Sequence, residues 1–197
     1  EEANFTFPGL KKAKKLTVTQ GYNANLAIIS FEDLEEVTGA MSLQEGSYVN
    51  NVVQPVQFPK LVKVGSFTYG GVLKTLSLPA LQEVTGVCSI GTCFTNGVPA
   101  MLESINLPAL KRVGTLKLTI GGATGSNPNT MITNLDCFEN LESAESVYIE
   151  KQMGLISYKG LAKVIAGLND AEAWEVIGNA FNPTFEEVKA GKLEKEE

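Results

Sequence analysis

No histidine occurs in the 197 residues of this chain, so neither a Ser-His-Asp nor a Cys-His relay can be assembled. The remaining candidates for chemistry are carboxylates, thiols and a glycine-rich loop. Glycoside hydrolysis needs only two acids flanking a groove, and the acid pairs on offer are Glu35/Glu36, Glu142/Glu145 and Glu186/Glu187. All three fall on bends or helices expected to face water. Gly121-Gly122-Ala123-Thr124-Gly125-Ser126 has the composition of a phosphate cradle. It lacks the Lys-Ser/Thr ending, and Asn127-Pro128-Asn129 follows where a helix is required, so a loop is the expectation. The three cysteines, Cys88, Cys93 and Cys137, have no metal-type spacing. Cys88 reads as a small core hydrophobe. Pairing of Cys93 with either Cys88 or Cys137 stays open. No catalytic residue, metal ligand or cofactor site is expected, and the chain reads as a non-enzyme.

The elements that must position any site come from a repeat. Its sharpest copies are Leu76-Ser77-Leu78-Pro79-Ala80-Leu81-Gln82-Glu83-Val84 and Ile105-Asn106-Leu107-Pro108-Ala109-Leu110-Lys111-Arg112-Val113. Anchors at Phe7, Phe31, Phe58, Leu78, Leu107, Phe138 and Tyr158 are each followed three residues later by Leu, and three further on by Val or Ala. Gly39, Gly65, Gly86 and Gly114 then precede a second apolar–x–apolar strand: Met41/Leu43, Phe67/Tyr69, Cys88/Ile90 and Leu116/Leu118. A glycine at that corner implies positive φ or close packing of neighbouring coils. Two copies spell Val-Thr-Gly and two Val-Gly, which puts a one-residue slip before the glycine. Such units cannot bury their apolar residues alone and must stack. The expected fold is an α/β solenoid, mostly β: a right-handed β-solenoid of about seven coils forming one domain over residues 1–197. Repeats fill 5–157 and a helical cap fills 158–192. Leu161, Val164, Ile165 and Leu168 fall at helical spacing, Trp174–Ile177 reads as a delayed return strand, and Thr184-x-x-Glu187 as a capping box ended by Gly191.

Register also names what faces outward. Thr17, Ser42, Thr68, Ser89, Lys117 and Tyr148 lie between the apolar residues of the second strands; Thr6, Ser30, Gln57, Ser77, Asn106 and Ser157 lie between those of the first. Small hydroxyls and amides suit ladders and solubility better than affinity hot spots. Binding is therefore expected on the loops after the second strands: Thr19–Asn25, Gln44–Asn51, Gly91–Ala100 and Gly121–Thr130. The candidate ligand-binding residues are Tyr22, Tyr48, Phe94, Asn96, Asn127 and Asn129 on those loops, with Tyr148 on the strand face. The alternative is that Asn and Gly fill turns while the aromatics cover the core edge. A net charge of −6 with no basic stripe beyond the first coil disfavours nucleic acid. No apolar run reaches the length of a membrane span. A monomer is expected.

The Leu-Pro-x-Leu-x-x-Val-x-Gly-x-apolar-x-apolar unit, in Leu78 to Ile90 and Leu107 to Leu118, resembles the leucine-rich-repeat superfamily in its receptor L-domain style. Similar units build the ligand-binding lobes of insulin and epidermal growth factor receptors. The disulfides of those lobes are missing here, so their ligand role does not carry over. The tail, Gly178-Asn179-Ala180-Phe181-Asn182-Pro183-Thr184-Phe185-Glu186-Glu187 with Ala190-Gly191-Lys192, resembles the closing segment of leucine-rich-repeat lipoproteins of Bacteroides-type gut bacteria. That resemblance implies an exported, cell-surface or extracellular location with an anchor upstream of Glu1. Three functions are weighed. A recognition or adhesion module binding protein or glycan through the loop-lined edge leads. A structural spacer or assembly domain follows. A carboxylate-based glycan-active enzyme comes last.

Overall fold

Alternating apolar and small polar residues make strands with one buried face, and a chain of short strands at irregular spacing can satisfy all of them by winding. The computed structural model describes residues 4–19, 28–44, 56–71, 75–95, 98–99, 102–121 and 129–196. The strands in chain order are β1 (Asn4–Thr6), β2 (Lys12–Ala13), β3 (Leu16–Thr19), β4 (Ile28–Ser30), β5 (Glu36–Gln44), β6 (Lys63–Gly71) and β7 (Thr75–Ser77). Then come β8 (Glu83–Thr95), β9 (Val98–Pro99), β10 (Ser104–Asn106), β11 (Arg112–Gly121), β12 (Ser143–Glu150) and β13 (Trp174–Ile177). Two short helices, α1 (Ala162–Gly167) and α2 (Phe185–Lys189), belong to the C-terminal end. The result is a β-solenoid of about five turns with few helices. Its main sheet runs β13-β12-β11-β8-β6-β5-β2, with β3 also on β5, and every one of these pairings is parallel. The first strands form narrower parallel ladders, β1 with β4 and β7 with β10.

Register is kept from coil to coil. Leu16, Met41, Phe67, Cys88, Leu116, Val147 and Trp174 lie over one another, as do Val18, Leu43, Tyr69, Ile90, Leu118, Ile149 and Val176. Between them the expected outward row Thr17, Ser42, Thr68, Ser89, Lys117, Tyr148 runs in order and continues to Glu175. The Leu of the repeat is fully buried at Leu34, Leu61, Leu81, Leu141 and Leu161. Cys88 is a core residue with a free thiol, and burial pushes its pKa up to about 12. Cys137 is also free.

The recurrent glycines answer to close packing. None of Gly39, Gly65, Gly86 and Gly114 has positive φ. A Cβ on Gly65 would lie 2.5 Å from the Thr38 carbonyl oxygen and 2.6 Å from that of Gly39; one on Gly114 would lie 2.7 Å from the Gly86 oxygen. The coils touch backbone to backbone here. The ladder shifts register at the same corner, between Val37 and Ala40 and between Val64 and Phe67, where Val-Thr-Gly meets Val-Gly.

A charged row emerges only from the stacking of coils. The residue before each repeat Val or Ala stacks as Lys12, Glu36, Lys63, Glu83, Arg112 and Ser143. Signs alternate along it, giving Lys12–Glu36 at 2.7 Å, Lys63–Glu83 at 2.7 Å and Arg112–Glu83 at 3.4 Å. Asp33 clips three coils together: one carboxylate oxygen accepts from the Gly9 amide at 2.9 Å, the other from Lys60 Nζ at 2.8 Å.

The end coils differ from the sequence alignment. That alignment equates Phe138 with Tyr158, but Asn134 pairs with Ser157, which makes Leu135 the equivalent of Tyr158. A 3-10 turn, Asp136–Phe138, is added in one coil and Lys159–Leu161 in the next. Each such turn moves the chain on by three residues, so the Leu–x–x–Leu spacing matches in two registers. The cap holds the expected return strand and capping box: Thr184 Oγ1 accepts from the Glu187 amide, and the Glu187 carboxylate accepts from that of Thr184. Lys189 Nζ donates to the carbonyls of Ile165, Ala166 and Leu168, closing the C-terminal end of α1. Tyr158 and Trp174 meet edge to face at 5.5 Å, and each donates to a carbonyl of the tail, Phe181 and Pro183 respectively. The cap reaches further than residue 192, because Leu193 to Lys195 pair antiparallel with Ile156 to Tyr158.

Two outcomes follow from these contacts. Gly114→Ala should lower stability by about 2–3 kcal/mol through overpacking, whereas Gly167→Ala, where a Cβ meets nothing within 4 Å, should leave it unchanged or raised; paired urea melts measure both. Lysine partners hold the carboxyls of Asp33 and Glu83 below their ordinary values. Depressed folded values mean stability that is present above the unfolded carboxylate pKa and lost as pH falls through the folded one. Glu83→Gln should therefore cost no more than about 1 kcal/mol at neutral pH, the pair being solvent-screened, and its melting curve should converge on that of the parent once the pH falls below the depressed folded value.

Candidate functional site

Parallel strands all point the same way, so whatever follows them leaves from one edge. The second strands end at Thr19, Gln44, Gly71, Thr95 and Gly121 along the same side of the main sheet. Residues 20–27, 45–55, 72–74, 96–97, 100–101 and 122–128, which follow those ends, lie outside the described residues. Tyr22, Tyr48, Asn96 and Asn127 are among them. Phe94 is described only in its backbone. There β8 is still a strand, paired with β11 as far as Cys93 opposite Gly121, and it then turns into an antiparallel pairing of Phe94 with Pro99 and Thr95 with Val98. Where a loop is expected from Gly91, the strand instead runs four residues further, to Thr95, and its end forms a short β-ribbon with Val98–Pro99.

Asn129 is placed elsewhere than on a loop surface. It is 3% exposed, and its Nδ2 donates to the Leu102 carbonyl and to Gln152 Oε1, both at 3.2 Å. Its Oδ1 accepts from the Met131 amide at 3.0 Å. The Gln152 backbone amide in turn donates to Asn179 Oδ1 at 2.9 Å, and Asn179 Nδ2 donates to the Ile149 carbonyl at 3.0 Å. Asn129, Gln152 and Asn179 therefore form a buried amide ladder at the corner of successive coils. It satisfies backbone groups that a corner would otherwise leave unpaired. Asn129 and Gln152 also line a small, partly open cavity of about 10 Å³ with Leu102, Ile105, Leu118 and Ile132. The sequence signal for this ladder is the Gln or Asn two residues past the ends of β12 and β13, at Gln152 and Asn179, with Asn129 as the counterpart one coil earlier.

Tyr148 lies where the outward row predicts. Lys117 Nζ sits 4.8 Å above its ring, and the Tyr148 hydroxyl donates to Glu150 Oε2 at 2.9 Å. That hydrogen bond to Glu150, helped by partial burial and by the negative charge of Glu150 and Glu175, holds the phenol above its ordinary pKa. A cation over the ring and a carboxylate at the hydroxyl leave both the ring and the hydroxyl of Tyr148 engaged.

The acid pairs considered for hydrolysis are spread over the surface. Glu35 and Glu36 face Lys11 and Lys12, Glu142 faces Lys111, and Glu187 is committed to the α2 cap and Lys192. Neither the small cavity nor the open depression formed by Lys14, Lys15, Thr38, Gly39 and Ala40 has a carboxylate in its lining. Among the described residues no group of three or more His, Cys, Asp or Glu is arranged to hold a metal ion. No helix among them is long and apolar enough to cross a membrane. Compared with protein families, curated proteins and solved structures, the chain matches none.

Asn129→Ala strands the Leu102 carbonyl and the Met131 amide in the interior. It should cost about 1–3 kcal/mol of stability, read as a lowered urea midpoint, and a midpoint equal to that of the parent would show the ladder to be dispensable.

Proposed function

We propose that this chain is a non-enzymatic extracellular recognition or adhesion module, binding protein or glycan through the edge from which its insertions leave. The single observation that carries the reading is the parallel register of β3, β5, β6, β8 and β11, which starts every insertion on one side of a rigid frame. Loops of unequal length on a rigid frame are the usual place for recognition. The strand face, by contrast, carries hydroxyls in a row and a Tyr148 already engaged by Lys117 and Glu150. In this reading the coils are of the leucine-rich-repeat type, right-handed and seven in number when the two end coils are counted, and the protein works as an exported, surface-attached molecule.

The structure sets where the test cuts should fall. Replacing 45–55 and 122–128 with short Gly-Ser links spares β5, β8, β11 and the Asn129 ladder. Against an array of glycans and a panel of extracellular-matrix proteins, the parent should bind at least one member and the shortened chain should lose that binding with its melting temperature unchanged. Binding that survives in the shortened, folded chain would remove the loop-lined edge as the site.

A further inference from the structure

The buried amide ladder does not use up the hydrogen-bonding capacity of its own members. Asn129 and Gln152 are 3% and 4% exposed. A side-chain amide offers two N–H groups and an oxygen with two lone pairs. Both N–H groups of Asn129 are engaged, by the Leu102 carbonyl and by Gln152 Oε1. Its Oδ1 accepts once, from the Met131 amide at 3.0 Å. Gln152 Nε2 donates once, to the Glu150 carbonyl at 3.0 Å. Among the described residues, a lone pair of Asn129 Oδ1 and one N–H of Gln152 are therefore left over. Buried polar groups left in that state cost free energy unless a further partner reaches them.

Both amides border the small cavity that Leu102, Ile105, Leu118 and Ile132 also line. Its volume of about 10 Å³ is at the lower bound for one water molecule and too small for an organic ligand. A cavity walled by leucine and isoleucine alone stays dry, whereas two polar partners are enough to hold a water. The last coil supplies a comparison. Asn129 corresponds in register to Gln152, and Gln152 to Asn179. Three residues after Asn179 comes Asn182, which accepts from the Asn179 amide and donates to its carbonyl, both at 2.8 Å. Three residues after Asn129 comes Ile132, which is part of the cavity wall. The position that brings a further amide to the last corner brings an apolar side chain to this one.

We propose that this cavity is a binding site for one ordered water molecule, which donates to Asn129 Oδ1 and accepts from Gln152 Nε2. The water completes both leftover groups and bridges two coils beside the direct bond between the amides. Asn129 and Leu102 are the first described residues after 122–128 and 100–101. The Asn129 bond to the Leu102 carbonyl thus joins the points where two neighbouring insertions rejoin the frame, and the water braces that junction from inside. The site belongs to the frame and not to the loop-lined edge, so its failure would leave the recognition reading intact.

Water itself is the probe. In the intact protein with labelled Leu and Ile methyl groups, NMR follows magnetisation transfer from water to Leu102, Ile105 and Ile132, whose carbon-bound protons do not exchange. Cross-peaks to these methyls are expected, of opposite sign in laboratory-frame and rotating-frame spectra, as a long-resident water gives and passing hydration water does not. Thr119 also lines the cavity, and its hydroxyl is able to relay magnetisation. Thr119→Val, at a half-buried site, removes that route and should keep the cross-peaks. Gln152→Met, which retains the length of the side chain without its N–H, should lose them wherever the variant folds. No cross-peak at any of the three methyls of the parent would overturn the proposal. So would their loss in folded Thr119→Val, which would trace them to the hydroxyl, or their survival in folded Gln152→Met, which would take the water away from the amides.

Discussion

Every strand of the main sheet runs parallel to its neighbour and in the same register, and the rest of the molecule answers to that constraint. Parallel stacking places each residue above its counterpart about 4.8 Å away. Whatever type occupies a position is repeated along a row. Apolar rows become the core without further design. Hydroxyl rows such as Thr17, Ser42, Thr68 and Ser89 tolerate self-stacking. Charged rows cannot repeat one sign, and Lys12, Glu36, Lys63, Glu83 and Arg112 alternate accordingly. A slip by one coil would oppose like charges, so the row selects register as well as contributing a little stability.

The same constraint explains the corners. Coils cannot be held at strand spacing where the backbone bends unless side chains are removed from between them. Gly65 and Gly114 do this by placing bare Cα atoms against carbonyls of the previous coil. At the opposite corner of the later coils the need is to pair bent backbone with something polar, and Asn129, Gln152 and Asn179 supply amides for it. One corner is thus solved by absence of a side chain and the other by side chains that imitate a ladder.

A stack also has two ends, and each exposes a row of backbone groups. Here the C-terminal end is closed by local chemistry: a lysine from α2 on three carbonyls of α1, a capping box, and a tail strand running antiparallel. The N-terminal coil has the composition of an ordinary coil. Its Phe7, Leu10, Lys11 and Lys12 are coil residues whose outer neighbours are missing among the described residues, and the polarity of its charge rows follows from the alternation behind it.

The period-two alternation, the Leu–x–x–Val spacing and the glycine at the strand entrance determined the solenoid, its inward and outward rows, the return strand Trp174–Ile177 and the Thr184 capping box, because each depends on residues close together in the chain. That the second strands all end on one side was legible too, since it follows from parallel winding. Tertiary structure decided what depends on distance between coils. Glycine was needed for backbone approach rather than positive φ, and Asn129 turned inward because a neighbouring coil offers it the Leu102 carbonyl and Gln152. The register of Phe138 against Tyr158 shifted because a 3-10 turn and a repeat share the same three-residue step. The alternating charges were visible in the sequence one by one, but their sign acquires meaning only when residues separated by a whole coil are brought within 4 Å, which winding alone accomplishes.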